Sequence, residues 1–265
     1  KDELVVQGVA TSFYDLNAIY CGTKDKEGNI WFGSINHGVF KFEDIKLDAD
    51  PTVINYSVLN GLKDNYILDI NTADSVVWIA TNDGGVHYIE EGKINTFTTE
   101  DGLPGNQIID LLTDREGNLW ISCMGEGVLK LYGFDFSHFS SNDGLISDQI
   151  SYIKASRVDS SFWIASYDNG IQNIAIEKNK IQAQNHILND DQLYNSIKSF
   201  DFDANNNMWI GTKNGLVVWN ESVLATVGSD RIAGEKINSV LCASSGWVWI
   251  GTSSGLSFYN GNYGV

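Results

Sequence analysis

Short apolar runs recur six times along the chain, each opened by a tryptophan and closed by small residues: Trp31-Phe-Gly-Ser, Trp78-Ile-Ala-Thr, Trp120-Ile-Ser-Cys, Trp163-Ile-Ala-Ser, Trp209-Ile-Gly-Thr and Trp249-Ile-Gly-Thr. Runs of this length bounded by turn residues read as strands. Successive tryptophans are 47, 42, 43, 46 and 40 residues apart. Strand-built repeats of that period mark a β-propeller.

The third unit shows the expected blade most clearly. Asn106–Asp114 reads as a first strand, Arg115-Glu-Gly-Asn118 as a hairpin turn, Leu119–Cys123 as a second strand, Gly127–Tyr132 as a third and Phe134–Phe139 as a fourth. Asn60-Gly-Leu, Asp101-Gly-Leu-Pro and Asp143-Gly-Leu precede first strands, the dipeptide giving the turn and the leucine an apolar plug between blades. The expectation is an all-β fold, a six-bladed β-propeller of four-stranded antiparallel blades, with residues 1–265 as a single domain. The last unit has no fourth strand after Tyr259, whereas Leu4–Ala10 stands where one belongs. That segment is expected to close the ring by pairing with the last blade, since open sheet edges invite association. The repeated tryptophans are expected to pack blade against blade.

Composition narrows the function classes. The 34 acidic residues against 17 basic ones give a formal charge of −17, which repels phosphate backbones and anionic membrane surfaces. Nucleic acid is therefore excluded as the main partner, and no apolar run is long enough to span a membrane as a helix. The chain opens Lys-Asp-Glu-Leu without the pattern of a signal peptide. Cys21, Cys123 and Cys242 have no metal-ligand spacing and read as buried free thiols. The Asp25–Asn29 and Asp114–Asn118 turns lack the spacing of a calcium loop and suit hairpins. No metal or cofactor is expected.

Asp114-Arg-Glu-Gly-Asn-Leu-Trp-Ile-Ser, Asp25-Lys-Glu-Gly-Asn-Ile-Trp-Phe-Gly-Ser and Asp101-Gly-Leu-Pro-Gly-Asn-Gln-Ile resemble the two-component regulator propeller repeat. The resemblance implies an extracytoplasmic sensor region of a bacterial hybrid two-component system, many of which respond to oligosaccharides. It therefore implies a periplasmic or otherwise extracytoplasmic location. Such sensors commonly carry two propellers, a β-sandwich, a membrane span and a kinase. These 265 residues account for one ring, so no signalling output is assigned to them.

In a four-stranded blade, the turn between second and third strands and the connection into the next blade share a face, where loops can vary without disturbing the core. Six first strands open on an amide or carboxylate, at Asn17, Asn65, Asn106, Asp148, Asn195 and Asn238, and Asp148 alone brings charge. Such side chains either brace their own turns or face a polar ligand. His37 and Asp168 lie in the second-to-third-strand turns, and Tyr66, Tyr167 and Tyr194 lie beside such turns, where they can stack on a sugar ring. The four histidines occupy different repeat positions and form no metal motif, so no catalytic residue is assigned. The expected function is recognition of a small polar ligand or oligosaccharide. A protein-interaction scaffold is the second class. A propeller lyase, drawing on His37, Asp83, Glu126, Asp148 and Asp168, is the third.

Overall fold

The computed structural model describes residues 19–43, 51–133, 135–157, 159–177, 180–186, 196–220, 224–227, 232, 234 and 236–259. Contacts divide the chain into two compact units, Lys1–Cys123 and Met124–Val265. The first holds β1 (Ile19–Lys24), β2 (Ile30–Ser34), β3 (Val39–Glu43) and β4 (Thr52–Tyr56), then β5 (Ile67–Ala73), β6 (Val76–Thr81), β7 (Val86–Glu90) and β8 (Lys93–Phe97), then β9 (Ile108–Thr113) and β10 (Leu119–Cys123). The second begins with β11 (Gly127–Tyr132) and β12 (Asp135–Phe139). It continues with β13 (Ile150–Ala155), β14 (Phe162–Ser166), β15 (Ile171–Glu177) and β16 (Lys180–His186), and with β17 (Ile197–Phe202), β18 (Met208–Thr212), β19 (Gly215–Trp219) and β20 (Leu224–Thr226). β21 (Ile237–Cys242), β22 (Val248–Thr252) and β23 (Gly255–Tyr259) complete it.

These strands make six antiparallel sheets in chain order, the blades of a β-propeller. Five have four strands, and the sixth has three among the described residues. The expected closing segment Leu4–Ala10 lies outside the described residues. The third blade's first strand starts at Ile108 rather than Asn106, because Asn106 belongs to the connection before it.

One local device repeats in all six blades. Each pairing of first and second strands slips by one residue, as between Ile67 and Asp69 or Ile237 and Ser239. Such a bulge re-aims the extra side chain and sharpens the twist. The residue after the slip faces a small partner on the second strand, Cys21 opposite Gly33 and Asp69 opposite Ala80. That explains the small third residue of the tryptophan motif. A Cβ on Gly33 would lie 2.5 Å from the Cys21 sulfur and 2.6 Å from the Ile67 side chain.

The residue after it closes the next turn. Ser34 and Thr81 in the first unit, and Ser166, Thr212 and Thr252 in the second, donate their hydroxyls to the carbonyls of Gly38, Gly85, Gly170, Gly215 and Gly255. Gly85 adopts φ 81°, and a Cβ there would stand 2.1 Å from the Phe97 carbonyl oxygen, so glycine is required.

Apolar residues of neighbouring blades meet in shared cores. In the first unit Trp31 and Val39 pack with Leu62, Ile67, Ile70, Val77 and Ile79. In the second, Trp209 and Leu216 pack with Ile237, Val240, Val248 and Ile250. The connection leucines Leu62, Leu103 and Leu145 are buried plugs. The tryptophans fall into two sets, which the sequence repeat does not distinguish. Trp31, Trp120 and Trp209 are at most 3% exposed, and each donates its Nε1–H to a hairpin carboxylate, Asp25, Asp114 or Asp203. Trp78 and Trp163 are half-buried, and Trp249 is 40% exposed with its ring against that of Phe258, centroids 5.6 Å apart. The hairpins before these three carry no carboxylate at the matching position. The carboxylate-to-indole tie thus occurs in the first, third and fifth blades.

Candidate functional site

The connections into first strands and the turns between second and third strands share a face in each unit. In the first unit Gly38 and Gly85 donate their N–H groups to the carbonyls of Asn65 and Asn106, and Asn82 donates to Tyr66. In the second, Gly127 donates to Asp148, Tyr167 to Gln149 and Ser253 to Lys236. Backbone pairing of this kind sets which side chains meet at the rim.

The amide and carboxylate series braces its own connections. The Asn65 Oδ1 accepts the Val58 N–H at 2.9 Å, the Asn106 Oδ1 accepts the Thr99 N–H at 3.0 Å, and Asp148 accepts the Ser141 N–H at 2.6 Å and its hydroxyl at 2.7 Å. All three bonds reach back seven residues, closing the turn as side-chain acceptors do in Asx motifs. Asn17, Asn195 and Tyr194 lie outside the described residues. Asn238 is not equivalent to the others: Ile237 holds the register position of Ile67, and Asn238 is the bulged residue of β21. The sequence pattern misplaces it because Ile237 and Val240, three apart, match the apolar repeat in either register. Its Oδ1 accepts from the Lys198 ammonium at 3.1 Å.

The remaining rim candidates are separate. His37 is exposed, its N–H donating to the Ser34 hydroxyl and its carbonyl accepting from the Asn55 amide. Tyr167 is half-buried and Asp168 exposed in the same turn of the second unit.

Tyr66 has company that sequence reasoning missed. Its ring meets that of Tyr20 edge to face, with centroids 6.4 Å apart, and the two are 36% and 57% exposed. Tyr20 is the bulged residue of β1, so the bulge turns it outward. Beneath this pair lie Cys21, Asp69 and Asp110, at the residue after the slip in three successive first strands. Asp110 is buried and hydrogen bonds Asp69, whose Oδ2 also accepts the Leu111 N–H at 3.0 Å. Burial pushes the Asp69 carboxyl up to about 6, against the pull of its bonds to Leu111, Ile70 and Asp110. Burial likewise raises the Cys21 thiol, helped by the Asp69 charge, and raises the Tyr20 hydroxyl, helped by Tyr66 and Cys21. The available signal was a carboxylate inside an apolar strand, in Ile67-Leu-Asp-Ile and again in Ile108-Ile-Asp-Leu.

The rim around Tyr66 is polar. The Gln107 side-chain amide donates to the Asn82 Oδ1 at 3.0 Å, and Asp64 accepts the N–H groups of Tyr66 and Asp83. The arrangement offers two aromatic faces, several amides and two neighbouring carboxyl groups. On the opposite face a cleft of about 210 Å³ is lined by Asp25, Trp31, Tyr56, Asp74 and Glu91. Asp25 and Trp31 are already bonded to each other there, and Trp31 stacks on Tyr56.

Residues 102–125 match the model of the family described as two component regulator propeller. No curated protein sequence matches the chain. Among solved structures, the extracellular domain assigned to the hybrid two-component system BT3049 of B. thetaiotaomicron superposes with a TM-score of 0.72 at 21% identity, over 91% of this chain and 33% of that one. The extracellular domain assigned to BT4673 of the same organism gives 0.62 at 17%, over 94% and 40%. Virginiamycin B lyase from Staphylococcus aureus gives 0.66 at 12%, over 91% and 84%. At these identities the likeness is one of fold. The chain spans well under half the length of the two sensor domains.

Proposed function

We propose that this chain, whose residues 102–125 are a two-component regulator propeller repeat, is a sensor propeller that works outside the cytoplasm and binds a carbohydrate-like solute. The observation that carries the reading is the exposed Tyr20–Tyr66 pair above the Asp69–Asp110 carboxyls in the first unit. Tyrosine rings stack on the apolar faces of sugars at low conformational cost, while fixed amides and carboxyls read the hydroxyls. The extracytoplasmic setting is supported by the extracellular domains to which the fold is similar. Among the described residues no helix is long and apolar enough to cross a membrane.

A glycan array followed by calorimetry tests the proposal. A ligand found on the array should lose roughly tenfold or more in affinity, about 1.4 kcal/mol, on Tyr66→Ala or Tyr20→Ala, with melting temperature nearly unchanged. No binding to any glycan by a folded sample sinks the carbohydrate reading. A protein partner is the second reading, favoured by Val58 and Leu59, which are 47% and 94% exposed on the connection that leads to Tyr66. Its mark is capture of a partner that Leu59→Ser abolishes.

A further inference from the structure

His87 is wholly buried on β7, outside the rim. Its Nε2 accepts the Lys63 N–H at 2.8 Å, so the proton of the neutral ring sits on Nδ1, which has no hydrogen-bond partner. A buried donor left unpaired is costly, which calls for an account of the histidine.

The repeat supplies an internal comparison. Two residues after the glycine that opens each third strand stand Phe40, His87, Leu129, Gln172, Val217 and Ser257. Gln172 does the same task as His87 and completes it: its Oε1 accepts the Ile146 N–H at 2.8 Å and its Nε2 donates to the Gly144 carbonyl at 3.0 Å. Lys63 and Ile146 are matching residues of Asn60-Gly-Leu-Lys63 and Asp143-Gly-Leu-Ile146. In Asp101-Gly-Leu-Pro104 the matching residue is a proline with no N–H to hold, and the strand position carries Leu129. A polar group is therefore placed where a connection N–H needs an acceptor. Blade two fills that need with the one acceptor that titrates.

We propose that His87 is a proton-operated latch on the connection 57–66: neutral, it holds the Lys63 N–H and steadies Asn65 and Tyr66, and protonated, it releases them. Protonation turns Nε2 from acceptor to donor, leaving two N–H groups facing each other at a buried site. The charged groups acting on His87 are Asp64 and Lys63, both on the connection itself. The neighbouring strands β6 and β8 bring Ile79 and Thr96 opposite it, neither ionisable. Burial holds the imidazole down at about 4, with Asp64 favouring the charged form and Lys63 opposing it. Release thus occurs in acid, as the opened connection takes up a proton that the closed one refuses. The effect on solute binding rests on the function proposed above, whereas the latch itself does not.

Native-state amide exchange on the full chain, read at Lys63 and Ile146 from pH 7 to pH 5 and corrected for intrinsic rate, tests this. Protection at Lys63 should fall roughly twentyfold relative to Ile146, the factor expected when a group near 4 closed reverts to about 6.5 opened. His87→Gln, which copies blade four, should keep Lys63 protected at pH 7 and remove its pH response. Equal changes at Lys63 and Ile146 in the unaltered protein overturn the proposal, and that comparison needs no variant to fold. An unchanged response in His87→Gln overturns it as well. Acid loss of Lys63 protection in a chain that binds no glycan supports the latch and overturns only the carbohydrate reading.

Discussion

Asp114 is a single carboxylate that closes its hairpin and anchors a core ring at once. Its Oδ1 accepts the N–H groups of Glu116 and Asn118, and its Oδ2 accepts the Asn118 amide and the Trp120 indole, all at 2.8–2.9 Å. Asp203 repeats this with Asn205, Asn207 and Trp209, and Asp25 repeats it with Asn29 and Trp31. Burial works against each carboxylate, yet the donated bonds outweigh it and hold all three below the usual range. Asp114→Ala should therefore destabilise the protein by about 2–3 kcal/mol, combining a lost cap with bonds to a charged acceptor. Trp120→Phe, which loses the N–H and also leaves part of the indole's buried volume empty, should cost about 2–3 kcal/mol. Urea midpoints check both, and an Asp114→Ala midpoint within error of the parent would show the tie to be ornamental. The hairpin was legible in Asp-x-x-Gly-Asn, but the bond to the tryptophan two residues beyond it was not, since nothing in a strand pattern says where an indole N–H points.

At the scale of the element, the connection between blades is held by side chains that accept from its own backbone. Asn106→Ala removes the acceptor for the Thr99 N–H and should lower stability by about 1 kcal/mol. Measured alongside ligand affinity, the same variant separates bracing from contact: a fall in melting temperature with unchanged affinity assigns Asn106 to architecture alone. Strand positions were readable in the sequence, because the Trp-x-small-small run fixes the second strand and the Gly-Leu plug the connection. Register within the first strand was not. The one-residue bulge lets Ile-x-x-Val match in two ways, and it is the bulge that exposes Tyr20 and displaces Asn238. The candidate site was accordingly half visible: Tyr66 from its place beside a turn, but not Tyr20, Asp69 or Asp110, whose proximity depends on three strands side by side.

For the molecule as a whole, two buried groups bend the stability curve in opposite senses over one pH window. Asp69, raised to about 6, keeps its proton in the folded chain after the unfolded chain has lost it, so stability falls as pH rises from about 4 to about 6. His87, lowered to about 4, refuses a proton that the unfolded chain accepts, so stability falls as pH drops from about 6.5 to about 4. The parent should show little net slope between them. Asp69→Asn should uncover a curve that rises with pH, and His87→Gln one that falls; urea midpoints at half-unit steps from pH 4 to pH 7 read this directly, and slopes of the same sign in both variants would contradict it. Below the ordinary carboxylate range all should weaken together, as Asp25, Asp114 and Asp203 take up protons and the tryptophan ties are lost. The ties also constrain the chain's length. They lie 89 residues apart, from Asp25 to Asp114 and from Asp114 to Asp203. Each tied hairpin is therefore fixed in length, because adding or removing a residue between carboxylate and tryptophan would carry the acceptor away from its indole.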